Sequence, residues 1–164
     1  MHGPLTSRLL HSAQSFDDIS RFLREGLADE ESRQLRDSLV ALSQHIETAV
    51  RMRRRRSDPP AILHSVDQLA GCVREHQRFL TGLGSAWHAM YELGVYQGTL
   101  RELRDAIAAW QAALERRSSA ERTRFDAFET VAWRAVGEAL LLLDMYEHGA
   151  VTQGTPLVRA APHS

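Results

Sequence analysis

Five arginines lie within six residues of the chain and form its densest group of like charges. They are Arg51, Arg53, Arg54, Arg55 and Arg56. Guanidinium groups bind phosphates and carboxylates through paired N–H donors, so the run predicts a site for an anion or an acidic partner. The plainer interpretation is a solvated helix C-terminus, where the negative end of the helix dipole favours cations. No aromatic residue lies near the run to stack on bases, which weighs against base-specific readout of nucleic acid.

Carboxylates are the next candidates, because pairs of them bind metal ions and transfer protons. Glu30 with Glu31, and Glu102 with Asp105, resemble the carboxylate sets with which all-helical nucleotide pyrophosphohydrolases hold magnesium. The chain departs from that pattern because the lysines expected around phosphates are absent. It also lacks the Glu-x-x-His motif of di-iron bundles. The resemblance implies a metal-dependent helical enzyme, which we keep as a second alternative without assigning any catalytic residue, metal ligand or cofactor.

The nucleophile inventory excludes several reaction classes. Every one of the 20 basic residues is arginine, so Schiff-base and P-loop lysine chemistry is excluded. Lysine and asparagine are both absent, which we interpret as the coding bias of a GC-rich genome.

The single cysteine, Cys72, cannot form an internal disulfide, so a reducing, cytoplasmic location is expected. No apolar window is long enough to span a membrane, and no secretory signal is present.

Apolar residues recur at helical spacing along almost the whole chain. Steps of three and four residues run through 35–49, and they run without interruption through 62–90, which predicts heptad-like seams. Ser57-Asp58-Pro59-Pro60 separates these two stripes, because Asp58 is a good N-cap and Pro59 a good first helical residue. The second stripe keeps its register past Gly82 and Gly84, so the helix that begins at 59 is expected to continue through both glycines; a kink there, or the close approach of another backbone, is the alternative.

Capping signals delimit the remaining helices. Gly26 is expected to close a first helix in the left-handed conformation, and the second helix is expected to run from 29 to 56. Thr99 with Glu102, and Ser118 with Glu121, predict the starts of two further helices. The last helix is expected to end at His148-Gly149. The prediction is an all-α, up-and-down antiparallel bundle of four to five helices in one domain, 1–149, followed by a flexible tail, 150–164.

Several residues near the middle of the chain predict an interaction surface. His76 interrupts an apolar seam, and a lone polar residue there often fixes the register of the helices or the choice of partner. A core or interface histidine with one hydrogen bond is the plainer interpretation. Aromatic residues and methionine are enriched at interfaces. We therefore predict an interface from the following set: His76, Phe79, Trp87, Met90, Tyr91 and Tyr96.

The sequence thus favours a non-enzymatic interaction protein, an adaptor, chaperone-like protein or assembly subunit, over an enzyme. Self-association or a protein partner is expected, because the apolar seams are long and catalytic constellations are missing. The first alternative is a nucleic-acid-associated protein that uses the arginine run. Against it stands the balance of 20 basic and 21 acidic residues, which gives a formal net charge of −1.

Overall fold

The computed structural model describes residues 17–84, 87 and 90–153, with side chains up to residue 147. An N-terminal segment is helical over 17–21 and continues as a π-helical turn, Phe22–Gly26. Four long helices follow: α1 (Asp29–Arg54), α2 (Pro59–Gly82), α3 (Tyr91–Glu115) and α4 (Glu121–Gln153). At 33 residues, α4 is the longest and spans about 50 Å at 1.5 Å per residue.

The four helices form a ring in which each packs against two neighbours. Helix α1 contacts α2 and α4, and α3 contacts the same two helices. The end of α4 also contacts the N-terminal π-helical turn. Short connections join α1 to α2 and α3 to α4, so both turns lie at the same end of the bundle. The predicted all-α, up-and-down bundle is confirmed.

The heptad stripes form the core, because residues at steps of three and four share one helix face. Leu35, Leu39, Leu42 and Ile46 of α1 are at most 1 % exposed. Aromatic rings fill the end of the core near the two short turns. There Trp110 stacks on Phe128, with ring centroids 4.7 Å apart, and lies 5.0 Å from the centroid of Phe125.

The expectation that the helix continues through Gly82 and Gly84 is wrong. Helix α2 ends at Gly82, and Gly84 has a φ of +93°, in the left-handed region that only glycine adopts without strain. The chain then turns so that Trp87 is fully buried, with its ring centroid 6.3 Å from that of Phe22. Trp87 belongs to the predicted apolar stripe, and it is a core residue although the helix has ended before it.

The expected start of α3 at Thr99 is also wrong, because α3 already begins at Tyr91 and passes through Gly94 and Gly98. Each glycine costs about 1 kcal/mol of helix propensity relative to alanine. Leu93 and Tyr96, at 0 % and 1 % exposed, bury apolar surface worth more than that cost.

Three other helix ends differ from the predictions. Helix α1 ends at Arg54 and not at 56, because Arg56 has the left-handed φ of +56° that starts the turn. Helix α4 continues past Gly149 to Gln153, since one glycine lowers helix propensity without breaking a helix. Gly26 lies inside the π-helical turn and has no left-handed φ. The predictions for 1–16 and for the tail from 154 lie outside the described residues.

Candidate functional site

Arg53 ties the end of α1 to the start of α4. Its Nε donates to Glu121 Oε2 at 2.7 Å and its Nη2 donates to Glu121 Oε1 at 2.8 Å. The indole N–H of Trp110 donates to the same carboxylate at 2.7 Å, and the guanidinium lies 5.0 Å from the ring centroid of Phe125. The hydrogen bond raises the pKa of Arg53 and lowers the pKa of Glu121. Arg53 is therefore a structural contact between two helices.

Arg54 is also paired, with a carboxylate that accepts a second hydrogen bond from an exposed tryptophan. Its Nε donates to Glu129 at 3.0 Å, and the indole N–H of Trp133 donates to the same carboxylate at 3.5 Å. A shallow surface pocket of about 500 Å³ lies beside Trp133 and is also lined by Arg51, Arg54 and Arg55. Two of the five predicted anion-binding arginines thus form ion pairs within the chain. The other three, Arg51, Arg55 and Arg56, are exposed and form none with the described residues.

A groove of about 780 Å³ lies at the same end, between the two short turns. Pro59 and Leu114 contribute apolar surface to it, whereas Ile62 and Phe125 lie behind them in the core and are each 5 % exposed. Five arginines and three carboxylates also line it: Arg53, Arg54, Arg56, Arg117 and Arg122, with Glu121, Asp126 and Glu129. The groove therefore carries a positive excess although the whole chain is slightly negative.

The two turns beside this groove have the same backbone geometry. After α1, Arg56 N–H donates to Arg53 O and Ser57 N–H to Met52 O. After α3, the amides of Arg117 and Ser118 donate in the same pattern to Leu114 O and Ala113 O. Both turns are Schellman motifs, in which glycine normally occupies the left-handed position. Here an arginine does so twice, with φ of 56° at Arg56 and 50° at Arg117.

The outer surface of α4 carries large apolar side chains. Trp133, Leu140 and Leu141 are 43 %, 55 % and 44 % exposed. Gly137, also exposed, lies between them on the same face, and a Cβ added there meets nothing within 4 Å. Asp144 continues this face toward the C-terminal end of α4. We call Trp133, Gly137, Leu140, Leu141 and Asp144 the α4 face.

Neither the α4 face nor Arg117 and Arg122 was predicted as a site, but the sequence contains a signal for each. The run Leu140-Leu141-Leu142-Leu143 occupies more of the helix circumference than one core stripe needs. The tripeptide Arg-Arg-Ser occurs twice, at 55–57 and 116–118, and both copies end a helix.

A buried polar pair lies inside the bundle, between α2 and α3. His76 Nε2 and the Tyr96 hydroxyl are 2.7 Å apart, and the two residues are 2 % and 1 % exposed. His76 Nδ1 has no hydrogen-bond partner among the described residues. Burial lowers the pKa of His76 to about 4 and raises the pKa of Tyr96. His76 is therefore neutral at physiological pH and holds one hydrogen bond, as the plainer interpretation of the sequence expected.

The predicted interface residues do not form one surface. His76, Trp87 and Tyr96 are core residues, so their side chains cannot contact a partner in this fold. Phe79 and Met90 are half-buried against the core, and Tyr91 is 66 % exposed on α3. The split arises because these residues lie on different faces of α2, of α3 and of the segment between them.

The two carboxylate sets that suggested a metal site lie on α1 and α3, which do not pack side by side. Glu31 accepts the amide of Ala28 at 3.0 Å, and Glu102 accepts a hydrogen bond from Arg134. Among the residues that the structure describes, no group of three or more His, Cys, Asp or Glu side chains is placed to hold a metal ion. Within the same residues, no helix is both long and apolar enough to cross a membrane.

Comparison with protein-family models, with curated proteins and with solved structures finds no match to this chain.

Proposed function

We propose that this chain is a non-enzymatic helical interaction protein that associates with a second copy of itself through the α4 face. The observation that carries the proposal is the exposure of Trp133, Leu140 and Leu141 on one side of α4. A contiguous group of exposed large apolar residues is typical of an interface in a water-soluble bundle. Arginines also lie beside Trp133, and tryptophan and arginine are among the residue types most enriched at positions that dominate binding energy.

The pattern of the α4 face favours an antiparallel pair of α4 helices. A two-fold axis at the level of Gly137 places Trp133 of one copy opposite Leu141 of the other, because each is four residues from Gly137. Gly137 then lies where the helices cross, and its missing side chain allows a close approach of the two backbones. The same surface patch serves both copies, as a two-fold interface requires.

Charges on either side of the apolar residues are complementary in this arrangement. Arg51 and Arg55 lie beside Trp133, while Asp144 and Glu147 lie further along α4. The two-fold axis brings the basic end of one face against the acidic end of the other. All four side chains are exposed and have no ion-pair partner among the described residues. A parallel pair of helices would instead place like charges together.

The expected affinity is moderate. Covering the three apolar side chains removes on the order of 300 Å² of apolar surface per copy, which is worth roughly 15 kcal/mol for the pair at about 25 cal/mol per Å². Association costs about 4–15 kcal/mol in lost freedom of motion. The difference is between about 0 and 11 kcal/mol, a range that contains the roughly 8 kcal/mol of a micromolar Kd. We expect a dimer of that affinity that weakens in high salt.

Light scattering after gel filtration tests the proposal. The wild type is expected to be a dimer at about 100 µM, well above a micromolar Kd. Leu140→Gln with Leu141→Gln is expected to be a folded monomer. Val95→Gln, which changes a residue on α3 that is 41 % exposed, is the matched control and is expected to remain dimeric. A wild type that is strictly monomeric at that concentration would refute self-association.

Two further variants test the geometry. Gly137→Leu enlarges the apolar surface, so it would strengthen non-specific association, but it blocks the proposed crossing and is expected to give a monomer. Arg51→Glu is expected to weaken the dimer, and adding Asp144→Arg in the same chain is expected to restore it. Failure of this charge swap to restore the dimer would contradict the antiparallel arrangement.

The alternative of a nucleic-acid-associated protein keeps support from Arg51, Arg55 and Arg56, which are exposed at one end. It predicts binding that falls steeply with salt. Measuring absorbance at 260 and 280 nm during the same gel filtration tests it directly. A metal-dependent enzyme stays a prediction from the sequence, and elemental analysis of the purified protein tests that prediction.

A further inference from the structure

The groove between the two short turns has features that dimer formation does not explain. Arg56 and Arg117 both line it, and both adopt the left-handed conformation that costs a residue with a side chain about 1–2 kcal/mol. Glycine would satisfy each turn without that cost, and the chain contains ten glycines elsewhere. Backbone strain of this kind is concentrated at binding and catalytic sites. Arginine occupies the strained position in both turns, and both turns face the same groove. This repetition indicates that the two guanidinium groups have a role in binding.

The charge in the groove is divided into a paired part and an unpaired part. Glu121 and Glu129 are bound by Arg53 and Arg54. Arg56, Arg117 and Arg122 are exposed and make no ion pair with any described residue. Asp126 is the remaining carboxylate of the lining. The unpaired side chains therefore carry a net positive charge that suits a small anion with more than one negative charge.

The size and the lining of the groove limit the ligand further. A volume of about 780 Å³ lies within the range of sites for small molecules. Pro59, which is exposed, and Leu114, which is half-buried, supply apolar surface beside the charged rim. Arginine binds phosphate oxygens through two parallel N–H donors, which makes it the preferred partner for phosphate groups.

From these observations, we propose that the groove between the α1–α2 and α3–α4 turns binds a diphosphate group through Arg56, Arg117 and Arg122. The diphosphate is either free or part of a nucleotide, whose nucleoside would contact the apolar surface of Pro59 and Leu114. The site is separate from the α4 face, so it does not depend on self-association.

Isothermal titration calorimetry with inorganic pyrophosphate and with ADP tests the site. A Kd below about 1 mM for either ligand supports the proposal. Tighter binding of ADP identifies the nucleotide as the source, and equal binding identifies the free diphosphate. Absence of binding by both ligands overturns the proposal. So does duplex DNA that binds far more tightly than either, because the arginines would then form part of a larger nucleic-acid surface.

A glycine variant separates loss of binding from loss of folding. Arg56→Gly with Arg117→Gly removes two guanidinium groups and also relieves the backbone strain at both turns. This relief exceeds the cost of glycine's greater freedom in the unfolded chain, so Tm is expected to rise by about 2–6 °C. The same variant is expected to lose roughly tenfold in affinity for each arginine removed. Arg33→Gln with Arg36→Gln, in the first half of α1, removes the same charge and is expected to bind normally. Unchanged affinity in the glycine variant would refute the role of the two turns.

Discussion

Lowering the pH from 7 to 5 is expected to destabilise the fold through His76. Burial holds the pKa of this side chain at about 4 in the folded protein, against 6.5 for an ordinary histidine. Between these values the unfolded chain binds a proton that the folded protein does not bind, so stability falls as the pH falls. The two pKa values give a loss of about 2 kcal/mol between pH 7 and pH 5. The loss through His76 levels off as the pH falls through about 4, where the folded protein also takes up the proton.

Urea unfolding followed by circular dichroism measures this loss, with one variant that removes the titrating group. His76→Leu with Tyr96→Phe replaces the hydrogen-bonded pair by two apolar side chains and leaves no hydroxyl without a partner. Its free energy of unfolding is expected to fall by about 2 kcal/mol less than that of the wild type over this pH range. Tyr96→Phe alone keeps His76 and is the control, which should retain the pH dependence. Parallel pH curves for the wild type and the double variant would refute a buried neutral histidine.

Two other measurements test local contacts. Burial raises the pKa of the Cys72 thiol to about 11. At pH 8 the thiol is therefore expected to react with iodoacetamide roughly 100-fold more slowly in the folded than in the urea-unfolded protein. Similar rates in the two states would show that the thiol is accessible. Glu121→Gln removes the charge from the bidentate bond to Arg53 and is expected to cost about 1–2 kcal/mol of unfolding free energy at pH 7. Because Arg53 lowers the pKa of Glu121, this contribution is lost as the pH falls through that folded pKa. A wild-type stability for the glutamine variant would contradict the structural role of the pair.

The hydrophobic pattern of the sequence determined the class of fold and most of the core. Stripes such as Leu35, Leu39, Leu42 and Ile46 form one helix face whatever the neighbouring helices are, because helical periodicity is a local property. Asp58 and Pro59 placed the start of α2 for the same local reason. The positions of the connections were harder to predict, since a glycine either continues a helix or ends it. Gly84 ends α2 in the left-handed region, while Gly94 and Gly98 lie within α3.

The candidate sites depended on which residues meet across the bundle, and no local pattern specifies that. The arginine run was visible in the sequence, but pairing with Glu121, which lies 68 residues from Arg53, decided that Arg53 is structural. Packing likewise buried His76 and Tyr96 against each other and left Leu140 and Leu141 outside the core. The groove exists because the ring of helices brings Arg56 and Arg117 to the same end. Local periodicity determined which helix faces are apolar, whereas contacts between distant helices determined which of those faces are covered and which charges are paired within the chain.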